Sequence, residues 1–167
     1  SYGAIAFTEG VTRLGCWVHA RRRFVDAGKV LPEGKRGRAH EALALIGKLY
    51  AIEKDARELN DAQRLALRQS RSRAVIDELR RWLDQVLPTV PPTSVLGGAL
   101  GYLHRQWPRL TRYLERGDLP IDNNPAENAI RPFVVGRKAW LFSDTQAGAR
   151  ASALIYSLIE TAKANNV

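Results

Sequence analysis

Apolar side chains recur every three or four residues through most of this chain. Within residues 39–60 the stripe is Leu43, Ile46, Leu49, Tyr50 and Ile52. Within residues 62–87 it is Leu65, Val75, Ile76, Leu79, Trp82, Leu83 and Val86. A third stripe, Leu96, Leu100, Leu103, Trp107, Leu110 and Leu114, steps by 4, 3, 4, 3 and 4. Such spacing predicts three helices, each with one face turned to a core. Asn60-Asp61 is the expected break between the first two, and Pro88, Pro91 and Pro92 end the second. Thr93 or Ser94 is placed to cap the third, which Pro108 should kink or divide and Gly117 should end. The stripes read as packing between helices, although a 4-3 seam also suits a contact with a second chain.

The ends of the chain read differently. Residues 11–18 are β-rich, with Gly15 as a bulge or close approach, and His19 to Val25 reads as the start of a helix. Residues 28–37 hold three glycines and Pro32, so they form a loop. Pro125 opens a short helix that Pro132 closes. Phe133 to Val135 and Ala139 to Phe142 read as extended pieces around Gly136-Arg137-Lys138. A last helix follows Gly148, with Ala151, Leu154, Ile155, Leu158, Ile159 and Ala162 on one face. The pattern as a whole predicts an α/β chain that is mostly α.

Charge changes this picture from architecture to partner. Lysine and arginine number 26 against 17 acidic residues, a net of +9, and the isoelectric point lies near 10.2. Arginine supplies most of the basic set. Residues 11–38 carry eight basic side chains, including Arg21, Arg22 and Arg23, against Asp26 and Glu33, a net of +6. Residues 131–150 carry Arg131, Arg137, Lys138 and Arg150 against Asp144. A polyanion is the expected partner, because neutralising phosphates releases counterions. The run Arg21-Arg22-Arg23 also suits a plain solvated helix face. At 167 residues with 45% hydrophobic and 26% charged side chains, the chain falls in the globular range. Its single cysteine, Cys16, excludes a disulfide framework and fits a reducing, cytoplasmic setting. No apolar run is long enough to span a membrane. The absence of methionine favours a piece of a longer translation product.

The segment richest in chemistry is Asp122-Asn123-Asn124-Pro125-Ala126-Glu127-Asn128. Locally, Asn124 is an N-cap, Pro125 the first helical residue and Glu127 the third, a close relative of a capping box. Yet four oxygen-bearing side chains crowd into seven residues, with Arg131, Arg137 and Lys138 just beyond. Hard divalent metals such as Mg²⁺ take carboxylate and amide oxygens together with substrate phosphate. Cys16 and His19 form a C-x-x-H pair, but no second cysteine exists to complete a zinc site. No glycine-rich phosphate loop is present, so no nucleotide cofactor is expected.

The run from Asp122 to Pro132, followed by Gly136-Arg137-Lys138-Ala139-Trp140-Leu141-Phe142, closely resembles the C-terminal part of the insertion sequence 66 transposases. The tail from Gly148 to Ala164 continues the match, and Gly15-Cys16-Trp17-Val18-His19-Ala20-Arg21-Arg22-Arg23-Phe24 resembles the segment after that family's second catalytic aspartate. The resemblance implies a DDE transposase, which cuts and joins DNA by Mg²⁺-dependent phosphodiester transesterification. It implies a partial ribonuclease H-like core at residues 1–37 and 118–167, with an all-helical insertion at 38–117. Glu127 matches the third acid and metal ligand. Arg21, Arg22, Arg131, Arg137 and Lys138 are the expected DNA contacts. No residue matches the two upstream aspartates, so this chain alone is expected to be inactive and not to hold Mg²⁺. The expected partners are transposon-end and target DNA, a second copy of the chain in the active complex, and no membrane. The alternative is a non-catalytic nucleic-acid-binding module or a decayed transposase remnant.

Overall fold

A computed structural model describes residues 13–124, 128, 131, 135 and 145–164. The chain divides into two compact units, Ser1–Asp122 and Asn123–Val167. The described residues of the first unit form α1 (Trp17–Lys29), α2 (Arg38–Asp55), α3 (Asp61–Leu67), a π-helical turn (Arg68–Ser72), α4 (Arg73–Val86) and α5 (Val95–Leu110). Short 3₁₀ turns follow α4 at Leu87–Thr89 and α5 at Arg112–Leu114. The second unit contains α6 (Gln146–Ala164).

No strand occurs among the described residues. The expectation of an α/β, ribonuclease H-like core is thereby overturned: the described chain is all-helical. The reason is visible at Trp17. The β-rich opening was taken to run through Val18, but α1 already begins at Trp17. Trp17, Ala20, Phe24 and Ala27, three or four residues apart, are all buried along one side of α1. That period outweighs the β preference of the few residues before it. The backbone at the start of α1 pairs with the end of α5 and with the segment beyond it rather than with a strand. The amide of Gly15 donates to the carbonyl of Arg109 at 2.9 Å, and that of Trp17 to the carbonyl of Ile121 at 3.3 Å.

Helix boundaries follow local chemistry. Asn60 caps α3 reciprocally: its side chain accepts from the Gln63 amide at 2.9 Å, and Gln63 accepts from the Asn60 amide at 3.1 Å. Ser94 caps α5 by accepting from the Gly97 amide at 2.9 Å. Pro108 lies inside α5, which ends two residues later and gives way to the 3₁₀ turn. Gly117 matters through close approach rather than a special backbone angle, because a Cβ there would collide with the Asp61 carbonyl.

α1 packs against both α2 and α5, and α2 against α4. Leu100, Leu103, Leu110 and Leu114 of the 4-3 seam are buried in this core, so the seam serves packing. Trp17 stacks edge-on against Trp107 at 6.5 Å and donates its indole N–H to the Leu110 carbonyl at 2.8 Å. Phe24 meets Trp82 edge-on at 6.1 Å.

One charged side chain lies at the centre. Arg68, in the π turn, is 1% exposed. It donates to both Glu53 oxygens at 2.8 and 2.6 Å, and to the carbonyls of Tyr113 and Arg116 at 2.9 and 2.7 Å. It thus ties α2 to the end of the chain segment that follows α5.

In the second unit, Leu154, Ile155, Leu158 and Ile159 of α6 are exposed. Asn124 and Val135 are helical. Asn124 is therefore not an N-cap outside a helix, and Val135 is not extended.

Removing one partner of a buried, hydrogen-bonded ion pair strands the other charge. Arg68→Ala should therefore destabilise the chain by about 3–5 kcal/mol in urea unfolding. The double variant Arg68→Met/Glu53→Leu should lose less than the two single changes summed.

Candidate nucleic-acid interface

Helical geometry separates the three consecutive arginines of α1, since neighbours on a helix project about 100° apart. With Trp17, Ala20, Phe24 and Ala27 turned into the core, Arg23 falls on the α5 side. Its guanidinium lies 4.3 Å from the centre of the Tyr102 ring, a cation–π contact. Arg21 and Arg22 fall on the other side, facing α2.

There they border a groove of about 730 Å³. Val18, Val25 and the ends of Asp26 and Lys29 complete the α1 wall, and Gly47 and Tyr50 form the α2 wall. Lys29 pairs with Asp26 at 3.1 Å. Among the described residues, Arg21 and Arg22 form no salt bridge, and both are exposed. The groove therefore joins a partly apolar floor to a rim of two guanidinium groups and a lysine.

Gly47 stands midway along α2. An interior helical glycine costs about 0.5–1 kcal/mol relative to alanine. No packing demand explains it, because a Cβ at Gly47 would meet nothing within 4 Å. Gly15, Gly97 and Gly117 differ, since a Cβ at each would collide with backbone.

At the edge of the groove Tyr50 donates its hydroxyl to Asp122 Oδ2 at 3.2 Å. Burial, and then the Asp122 carboxylate, raise the Tyr50 pKa well above that of an ordinary phenol, while nearby Arg21 pulls it down. Tyr113 is also raised, chiefly by burial, which outweighs the opposing influence of the nearby Ser72 hydroxyl and the Arg68 guanidinium. Asp122 opens the acidic motif, so the first carboxylate of that motif is engaged with the helical unit.

Of the expected site residues, Arg21 and Arg22 are brought together. Arg131 is helical and exposed in the second unit. Glu127, Arg137 and Lys138 lie outside the described residues. Among the described residues no group of three or more histidine, cysteine or carboxylate side chains could hold a metal ion. Cys16 occupies the N-cap position of α1, and His19 lies in its first turn.

A family model described as Transposase IS66 family matches residues 1–151. The chain belongs to the IS66 transposase family. Relatives of this IS66 chain include three uncharacterized proteins of Sinorhizobium fredii (strain NBRC 101917 / NGR234). Protein y4hP is 29% identical over 98% of this chain and 32% of its own length. Protein y4qI is 32% identical over 95% of this chain and 29% of its own. Protein y4jD is 30% identical over 89% of this chain and 28% of its own. The IS66 chain thus spans about a third of the length of these relatives. No solved structure matches it. Among the described residues no helix is long and apolar enough to cross a membrane.

Sequence reasoning named Arg21 and Arg22, which border the groove, but not Lys29, Gly47 and Tyr50, which also line it. Lys29 was within reach, being eight and seven residues beyond the two arginines and so on the same helix face. Tyr50 had been assigned to a packing stripe, and nothing local marked Gly47.

Raised tyrosine pKa values have a definite sign in stability. The folded chain keeps Tyr50 and Tyr113 neutral where the unfolded chain ionises them, near pH 10. Above that point the unfolded state binds fewer protons, so the urea midpoint should hold up to about pH 10 and fall beyond it. Tyr50→Phe should make that alkaline decline shallower.

Proposed function

We propose that this IS66 chain holds DNA for a transposase that cuts and joins it, with the α1–α2 groove gripping the phosphodiester backbone. The observation that carries this reading is the groove itself. Arg21 and Arg22 stand exposed on its rim without a salt bridge among the described residues, while Arg23 beside them is committed to Tyr102. Guanidinium groups suit phosphate because their planar fork donates two parallel hydrogen bonds. The net charge of +9 favours encounter with a polyanion. Arg131, Arg137 and Lys138 are proposed as further phosphate contacts. Active assembly is proposed to need more than one copy of the transposase.

Glu127 is proposed as the acid of strand transfer, with Mg²⁺ the metal that the family resemblance implies for it. In a transposase of the relatives' length, Glu127→Gln should abolish cleavage of a labelled duplex while leaving its binding intact. Persistent cleavage in that variant removes Glu127 from the chemistry.

Phosphate contact is tested by salt. Arg21→Ala and Arg22→Ala should each weaken DNA binding across sequences and flatten the slope of log K against log salt by about 0.9. An unchanged slope in both variants overturns the reading.

A further inference from the structure

We infer that the α1–α2 groove seats a nucleotide of a single DNA strand, and that Gly47 is the position that admits it. The inference rests on the proposed DNA reading and sharpens it to one strand and one residue.

Three observations converge. First, the groove lies between two helices packed directly on each other. The axes of such helices lie about 8–10 Å apart, so a surface groove along their seam is on the scale of a single nucleotide rather than of a whole duplex. Second, its lining is mixed. Val18, Val25 and Gly47 offer an apolar surface, and Arg21 and Arg22 supply positive charge. A duplex offers such a surface only its phosphates. An unstacked nucleotide offers both an anionic phosphate and a planar, largely apolar base. The volume of about 730 Å³ falls within the roughly 300–1,000 Å³ of small-molecule sites. Tyr50, with its hydroxyl fixed on Asp122, places an aromatic ring at the groove edge, the kind of surface on which bases stack irrespective of sequence.

Third, Gly47 is unfavourable for the helix and unexplained by packing. The close approach of a ligand accounts for it, because any side chain there would project into the groove. Gly98 on α5 is the natural control: a Cβ there also meets nothing within 4 Å, but Gly98 does not line this groove. The carboxylates nearby do not oppose an anion strongly, since Asp26 is paired with Lys29 and Asp122 accepts from Tyr50.

The test is fluorescence anisotropy of this chain with a labelled oligothymidylate of about twelve nucleotides, within the usual site size of single-strand binders, and with a duplex of equal length. Gly47→Leu should weaken single-strand binding about tenfold, the loss of roughly one stacked base, and leave duplex binding within about twofold. Gly98→Leu should change neither. Gly47→Ala should raise the melting temperature, showing that the position tolerates a side chain in the fold. If Gly47→Leu leaves single-strand affinity unchanged, or lowers it no more than Gly98→Leu does, the inference fails. If Arg21→Ala still weakens both DNAs in that case, the phosphate reading stands without it. If Arg21→Ala weakens neither, both fall together.

Discussion

The helical unit depends on a guanidinium buried where a sequence pattern would place a leucine. Arg68 sits on the same stripe as Ile76, Leu79, Leu83 and Val86, all buried. It meets Glu53 in bidentate fashion and absorbs carbonyls left over where the segment after α5 ends. Ion pairs of this kind add little net stability over a well-packed apolar alternative, because desolvation cancels much of the attraction. Their effect is on geometry: the donors accept only one arrangement of α2, the π turn and residues 113–116. Gly117 completes that arrangement by letting its backbone press against Asp61.

That arrangement bears on the groove through α5. The end of α5 holds the start of α1, through the Gly15 amide and the Trp17 indole, while Arg23 grips Tyr102 from the same side. α1 is thus prevented from rolling about its axis. The places of Arg21 and Arg22 on the groove rim are thus set by packing elsewhere on the helix.

Much of the helical unit was legible in the sequence, and the reasons are local. Periodic leucines, the Asn60 and Ser94 caps and the proline cluster each act within a few residues, so they located α2, α4 and α5 closely. The opening segment was misread because strand preference over residues 11–18 was weighed before the longer period of Trp17, Ala20, Phe24 and Ala27. Arg68 was invisible for a different reason. Its partners lie 15 residues before it and 45 or more after it, and no local pattern encodes that meeting. The same holds for Tyr50 and Asp122, which are 72 residues apart. In the groove, the arginines could be read from composition, but the space they border could not.

Part of the chain's arginine serves its own architecture. Arg64, Arg68, Arg71, Arg80 and Arg116 each face an aspartate or glutamate, and Arg23 and Arg80 lie over aromatic rings. These contacts hold particular arginines in place but leave the net charge of +9 unchanged, because each ion pair cancels acid and base alike. Were a polyanion to dock here, the number of basic side chains would overstate the counterions it sheds, because the arginines held by acids and aromatic rings are not free to meet phosphate.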